Sequence, residues 1–213
     1  HDFSSLKSIF SGGAPCPRQL METLNDKYGF PILQAYGMTE TSPLALAAIP
    51  KSTMADWPRE RLYDVRTSAG LLAPGLEMKI VNERGAEVKP DGAEMGEILL
   101  RGPWIAKEYY KDPERSQPFF AGGWLHTGDV GTIDEEGYVR LVDRTKDLVK
   151  SGGEWISSVD LENAIMAHPA VLEAAVIGVP HPKWQERPLG CVVAKPGVTV
   201  SEDELKSFLQ GKV

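Results

Sequence analysis

Residues 6–41, LKSIFSGGAPCPRQLMETLNDKYGFPILQAYGMTET, decide the fold class. Leu6 to Phe10 reads as a short strand running into the loop Ser11-Gly12-Gly13-Ala14-Pro15. Pro17 opens a helical pattern to about Tyr28, because Pro suits the first turn and Leu20, Leu24 and Tyr28 recur four apart on one face. Ile32 to Tyr36 reads as a second strand, ending in Gly37-Met38-Thr39-Glu40-Thr41. Strand, helix and strand in this order predict a parallel α/β sheet. Ligands of such sheets sit beyond the carboxyl ends of the strands. Both glycine-bearing loops fall there.

Downstream the pattern changes. Met78 to Val81, Glu97 to Arg101 and Trp124 to His126 are short apolar runs separated by Gly and Pro turns. Val130 to Ile133 and Tyr138 to Val142 flank Asp134-Glu135-Glu136-Gly137 as a hairpin. Strands at this spacing predict a small barrel or sandwich. After Asp143-Arg144-Thr145-Lys146, Leu148 to Lys150 reads as a strand and Ser151-Gly152-Gly153 as a turn. Ser157 or Ser158 caps a helix through Ala167, with Asp160 completing a capping box on Ser157. Val171 to Val179 and Leu189 to Ala194 read as strands. Ser201 caps a last helix with Glu204 at its third position, and Val200 and Leu205 are spaced for a hydrophobic staple. The pattern predicts two units joined near residue 145.

Composition narrows the function classes. The 213 residues carry 23 basic and 30 acidic side chains, a net charge of −7. That balance lacks the basic stripe needed to neutralise nucleic-acid phosphates. No apolar run approaches the ~20 residues of a membrane-spanning helix. Cys16 and Cys191 are too few for a disulfide framework and suit a reducing compartment. His1-Asp2-Phe3-Ser4-Ser5 has neither the basic nor the apolar part of a signal peptide, so a cytoplasmic location is expected. The 21 Gly and 16 Pro point to a chain rich in turns and functional loops.

Several loops carry chemistry-bearing residues. Gly12-Gly13-Ala14-Pro15 is either a tight turn or a bare backbone that a flat ligand can approach. Tyr36 offers a stacking face, Thr39 a hydroxyl for a phosphate oxygen, and Glu40 a hard carboxylate for Mg²⁺; a solvated loop is the plain reading. Asp129, in Trp124-Leu125-His126-Thr127-Gly128-Asp129, puts a carboxylate beside a glycine at a strand end, where it can accept both hydroxyls of a ribose or simply hold a turn. His126 is expected to be structural. The cluster Asp143 to Asp147 is a solvated linker or a hinge. Ser151-Gly152-Gly153-Glu154-Trp155 is a hairpin turn or a mobile loop that closes on a ligand.

Taken together, YGMTE (36–40), WLHTGD (124–129) and DRTKDLVKSGGEWIS (143–157) resemble the adenylate-forming superfamily, which includes acyl-CoA synthetases, luciferases and peptide-synthetase adenylation domains. The likeness runs over essentially the whole chain, and AVIGVPHPKWQERP (175–188) brings it nearest to bacterial medium-chain fatty-acyl-CoA ligases. The resemblance implies a mixed α/β fold: a remnant of a parallel α/β subdomain over 1–50, a small β-barrel over about 70–143, and a mobile α+β C-terminal domain. Residues 1–143 would end the large adenylate-binding domain, 144–146 would be the hinge, and 147–213 would begin the small lid domain.

The same resemblance implies a two-step ligase. A carboxylate attacks the α-phosphorus of MgATP, then the thiol of coenzyme A displaces AMP. Gly13, Ala14 and Pro15 would lie along the adenine with Tyr36 and Gly37, Thr39 would contact the α-phosphate, and Glu40 would hold Mg²⁺. Asp129 and Arg144 would bind the ribose, Lys146 would be the pivot, and Lys150 would face the reacting groups. Gly152, Gly153 and Glu154 would line the pantetheine path in the second step. The family's Ser/Thr/Gly-rich phosphate loop is absent, and Gly211-Lys212 lacks the Pro that precedes the family's C-terminal Lys. The chain is therefore expected to be part of a roughly twice-longer enzyme and inactive alone. The expected substrate is a fatty or similar aliphatic acid. An adenylation domain loading a carrier protein and a non-catalytic nucleotide-binding module are the competing readings.

Overall fold

The computed structural model describes Phe3 and residues 5–211. Readings that involve His1, Asp2, Ser4, Lys212 or Val213 lie outside the described residues. The chain divides into two compact units, His1–Leu141 and Val142–Val213.

The first unit opens with strand β1 (Ile9–Ser11), helix α1 (Arg18–Tyr28) and strand β2 (Ile32–Tyr36). β1 and β2 pair in parallel, Ile9 opposite Ile32. The predicted first strand thus starts later and runs to Ser11. The predicted apolar face of α1 is corrected too. Leu20 and Tyr28 are exposed, and Met21 is the residue that buries completely, against Ile32 and Tyr63. Of the repeat Leu20, Leu24 and Tyr28, only Leu24 packs on that cluster. Two strands that the sequence reading did not resolve, β3 (Leu46–Ala47) and β4 (Leu71–Leu72), extend this sheet in antiparallel fashion, in the order β1-β2-β3-β4. Between them lies helix α2 (Arg59–Arg66), which follows Pro58. The sheet is therefore mixed, not wholly parallel.

A second sheet holds β5 (Glu77–Val81), β6 (Gly96–Arg101), β7 (Leu125–Ile133) and β8 (Val139–Arg144) in simple sequence order, with helix α3 (Pro113–Phe119) before β7. The expected barrel does not close among the described residues. Four strands are too few to roll up around a filled interior. Instead of pairing with β8, the edge at Val81 bridges to Glu87. The hairpin at 134–137 forms as expected, with Tyr138 N donating to Asp134 Oδ1 at 2.8 Å. A shared core of Tyr36, Leu46, Ile80, Ile98, Leu100, Leu125 and Val139 fixes the two sheets of this unit together.

The second unit contains β9 (Val149–Ser151), β10 (Glu154–Ile156), helix α4 (Ser158–Met166), β11 (Val171–His181), β12 (Gln185–Ala194) and helix α5 (Glu202–Leu209). Its sheet runs β10-β9-β12-β11. Gly152 and Gly153 form the two-residue turn between β9 and β10 with φ of 64° and 87°, values L side chains rarely adopt. Both helices start as the sequence suggests: Ser157 Oγ accepts from Asp160 N, and Ser201 Oγ accepts from Glu204 N. β11 and β12 run longer than expected, through Pro180 and Pro188. Val149, Ile165, Val171 and Val176 form the unit's core.

Candidate active site

The carboxyl end of β2 organises the site in the first unit. Gln34, only 7% exposed, accepts from Cys16 N at 2.8 Å and donates to the Ala14 carbonyl at 3.1 Å. One buried amide thus ties the Gly13-Ala14-Pro15 loop to the strand, leaving that loop exposed on its other side. Beyond Tyr36 the chain turns tightly. A Cβ on Gly37 would sit 1.7 Å from the Pro43 carbonyl oxygen, so no larger residue fits without moving the loop. Thr41 Oγ1 accepts from Met38 N at 2.9 Å and donates to Pro43 O at 2.7 Å, setting the 37–43 loop in place. Thr39 stands exposed on it and Glu40 half-buried.

Asp129 is not at the end of a strand, as the spacing suggested, but inside β7. Here Glu97 pairs with Val130 and Leu99 with His126, so Thr127, Gly128 and Asp129 face the single residue Ile98. Extra residues on one strand form a bulge, which bends the strand and re-aims side chains. Gly128 takes φ 71° to allow it. The Tyr36 hydroxyl donates to Asp129 Oδ2 at 2.6 Å, joining two motifs 93 residues apart. Tyr36 is itself 9% exposed, and its hydroxyl is committed to Asp129. His126 is structural: its Nδ1 lies 3.1 Å from Glu97 Oε2.

Tyr109 was invisible in the sequence. Its hydroxyl donates to Glu40 Oε1 at 2.5 Å, and its ring packs edge-on against Phe119 and Phe120. Burial, and then the hydrogen bond to Glu40, push the Tyr109 phenol above its ordinary pKa. Among the described residues, no three His, Cys, Asp or Glu side chains gather as a metal cage. A single fixed carboxylate nevertheless suits Mg²⁺, which keeps its waters and is held by one or two carboxylates plus substrate phosphates. The Glu40 carboxylate fits that role.

In the second unit, Thr145 to Asp147 form a turn closed by Asp147 N and Leu148 N donating to the Arg144 carbonyl, and Lys146 is exposed on it. Asp143, the first residue of the expected linker or hinge, accepts from Ser158 N at 2.7 Å and Ser158 Oγ at 2.8 Å, at the start of α4. Lys150 sits half-buried in β9, its backbone N–H donating to Glu186 Oε2 at 2.9 Å. Among the described residues its ammonium has no ion-pair partner. Gly152 N donates to Trp184 O, and the Trp184 ring lies where a Cβ on Gly152 would stand. Gly153 and Glu154 are exposed. The structure therefore brings Ala14, Tyr36, Gly37, Thr39, Glu40 and Asp129 onto connected elements of one unit. Arg144, at the end of β8, and Lys146, Lys150, Gly152, Gly153 and Glu154 belong to the other. Sequence reasoning missed the supports Gln34, Glu97, Tyr109 and Glu186, because long-range hydrogen bonds leave no local spacing signal.

This mixed α/β architecture with several sheets matches the fold of adenylate-forming enzymes. The chain belongs to the AMP-binding enzyme family, whose match covers residues 1–110; the AMP-binding enzyme C-terminal domain matches residues 160–213. It is 44% identical over 209 residues to 3-methylmercaptopropionyl-CoA ligase of Ruegeria lacuscaerulensis, and 43% identical over 210 residues to long-chain-fatty-acid–CoA ligase of Thermus thermophilus. Each alignment covers 98% of this chain and 38% of the relative, so the chain spans under two fifths of their length. Among solved structures it is similar to o-succinylbenzoate-CoA synthetase of Bacillus subtilis in complex with its acyl-adenylate intermediate. The TM-score is 0.75 at 35% identity, over 98% of this chain and 40% of that one.

Proposed function

We propose that the chain supplies nucleotide- and thiol-facing parts of an ATP-dependent acid–thiol ligase acting on an aliphatic, fatty-type carboxylic acid. Residues 1–143 end the large adenylate-binding domain, 144–146 form the hinge, and 147–213 begin the small domain that re-orients between steps. The observation that carries this reading is the 2.6 Å bond between Tyr36 and Asp129, which gathers the two motifs beside one strand end.

In the first step a carboxylate oxygen of the acid bonds to the α-phosphorus of ATP and pyrophosphate leaves. Asp129 and Arg144 accept and donate at the ribose. Gly13, Ala14, Pro15, Tyr36 and Gly37 border the base, and the exposed Thr39 hydroxyl donates to an α-phosphate oxygen. The Lys150 ammonium balances charge on the acid and the phosphoryl group. Glu40, held by Tyr109, is the residue that takes Mg²⁺, which when bound offsets phosphate charge. In the second step the coenzyme A thiolate attacks the acyl carbonyl and AMP leaves, a far better leaving group than oxide. Lys146 serves as pivot, and Gly152, Gly153 and Glu154 border the pantetheine arm. A reducing, ATP-rich compartment such as the cytoplasm suits this chemistry and the free thiols of Cys16 and Cys191.

The test is acid-dependent exchange of labelled pyrophosphate into ATP by the full protein carrying this chain, followed by thioester analysis with coenzyme A or a phosphopantetheinylated carrier protein. Exchange with aliphatic acids and a coenzyme A thioester are expected. Exchange with every acid absent from a folded, nucleotide-binding protein would overturn the ligase reading, and a thioester formed only on the carrier would redirect it.

A further inference from the structure

Glu97 occupies an unusual position: it sits on β6 directly beside the bulge that carries Asp129, and its carboxylate is committed twice. Oε1 accepts from Gly128 N at 3.1 Å, and Oε2 faces His126 Nδ1 at 3.1 Å. Gly128 N is one of the donors that the bulge takes out of the ladder, and an unmet donor is costly. Buried Thr127 secures the other side of the same loop: its hydroxyl donates to Ile98 O at 2.7 Å and accepts from Asp129 N at 3.1 Å. The left-handed turn at Gly128, which aims Asp129 towards the Tyr36 hydroxyl, is thus clamped by one hydroxyl and one carboxylate.

We infer that Glu97 is a positioning residue for the ribose-binding carboxylate: by fixing Gly128 and His126 it fixes where Asp129 presents its oxygens, and so sets how strongly the protein distinguishes a ribose from a deoxyribose. The inference rests on the proposed reading of Asp129 as the ribose ligand. In this inference Glu97 acts through the bulge, by its contacts to Gly128 and His126, and not on the nucleotide itself. Hydrogen bonds from hydroxyls to a charged acceptor are direction-sensitive, so a carboxylate allowed to drift loses the paired contact before it loses general nucleotide affinity.

That distinction gives the test. Binding of AMP, 2′-deoxy-AMP and 3′-deoxy-AMP to the full protein carrying this chain is measured for the unsubstituted protein, Asp129→Asn, Glu97→Ala, Glu97→Asp and Glu97→Gln. The unsubstituted protein is expected to prefer AMP over each deoxynucleotide by about 10-fold, the range of a hydrogen bond to a charged group. Asp129→Asn removes most of that preference. Glu97→Ala and the shorter but still charged Glu97→Asp bring the ratio to within about 2-fold, with deoxynucleotide affinity nearly unchanged. Glu97→Gln keeps an acceptor for Gly128 N and retains most of the preference. A preference kept in both Glu97→Ala and Glu97→Asp overturns the inference, as does an equal loss for all three nucleotides, the mark of a merely structural residue. If Glu97→Ala does not fold, Glu97→Asp and Glu97→Gln decide alone. An unsubstituted protein that does not distinguish the nucleotides overturns the ribose reading of Asp129 and this inference with it. Preference lost in Asp129→Asn but kept in the Glu97 variants overturns the inference alone.

Discussion

A single hydroxyl decides how firmly Glu40 is held. Tyr109 donates to one of its two carboxylate oxygens at 2.5 Å, which leaves the other oxygen for the Mg²⁺ proposed there. Tyr109→Phe removes the donor and keeps the ring that packs on Phe119 and Phe120, so the local core should survive. Without the tether the carboxylate samples more rotamers, and ordering it again opposes metal binding. The expected result is about 10-fold weaker binding of Mn²⁺·ATP, read by the paramagnetic signal of the metal, with metal-free AMP binding unchanged. Equal weakening of both would mean that Tyr109 supports the fold and not Glu40. The residue scale is also where the sequence was least informative. Thr39, Glu40 and Asp129 stand out because their motifs are compact, whereas Tyr109, Gln34 and Glu97 act across 69, 18 or 20 and 31 residues. Nothing in their own neighbourhood separates them from ordinary buried or half-buried polar residues.

At the scale of elements, what is local was legible and what depends on distant pairing was not. The start of α4 is the clearest local case, since Ser157 and Asp160 announce it and Ser157 Oγ does accept from Asp160 N. Ser157 is also 4% exposed and its hydroxyl donates to Val142 O at 3.3 Å, so replacing it leaves two polar groups short of a partner. Ser157→Ala is expected to cost the unit about 1–2 kcal/mol in denaturant unfolding, and Ser157→Thr much less. The Asp143 contacts to Ser158 keep the helix from losing its start altogether. No measurable loss in Ser157→Ala would show that Asp143 alone carries the cap. By contrast, β3 and β4 are two residues each and gain their identity only from the strands beside them. The start of α3 is local too: Asp112-Pro113 is an N-cap followed by Pro, and Asp112 Oδ1 accepts from Arg115 N. The barrel expectation failed because closure is set by which edges meet, and strand spacing says nothing about that.

For the whole molecule, the distribution of tyrosines separates the two units. All six, at 28, 36, 63, 109, 110 and 138, precede residue 142, so the second unit has none. Burial raises the pKa of Tyr138, opposed by its bond from Lys51 N, and burial with the Glu40 bond raises that of Tyr109. A phenol raised in this way prefers its neutral form in the folded state. Its contribution to stability is therefore complete below the unfolded value near 10 and is lost as pH climbs from there through the folded value. In the second unit, Lys206 is also raised, by its hydrogen bond to Glu202, and its contribution falls in the same direction. That pair is fully exposed, however, and solvent screening leaves it little weight. Alkali should accordingly loosen residues 1–141 before residues 142–213. Digestion with a protease that works in alkali, from pH about 8 to above 10, should yield its first new cleavages within residues 1–141, at the pH where tyrosinate absorbance begins to rise late. Tyr138→Phe, which cannot ionise, should delay those cleavages once its lost bonds to Lys51 and Ile49 are allowed for by comparison at pH 8. First cleavages in residues 142–213, or a Tyr138→Phe protein that opens at the same alkaline pH as the unsubstituted one, would show that phenol ionisation does not govern the alkaline limit.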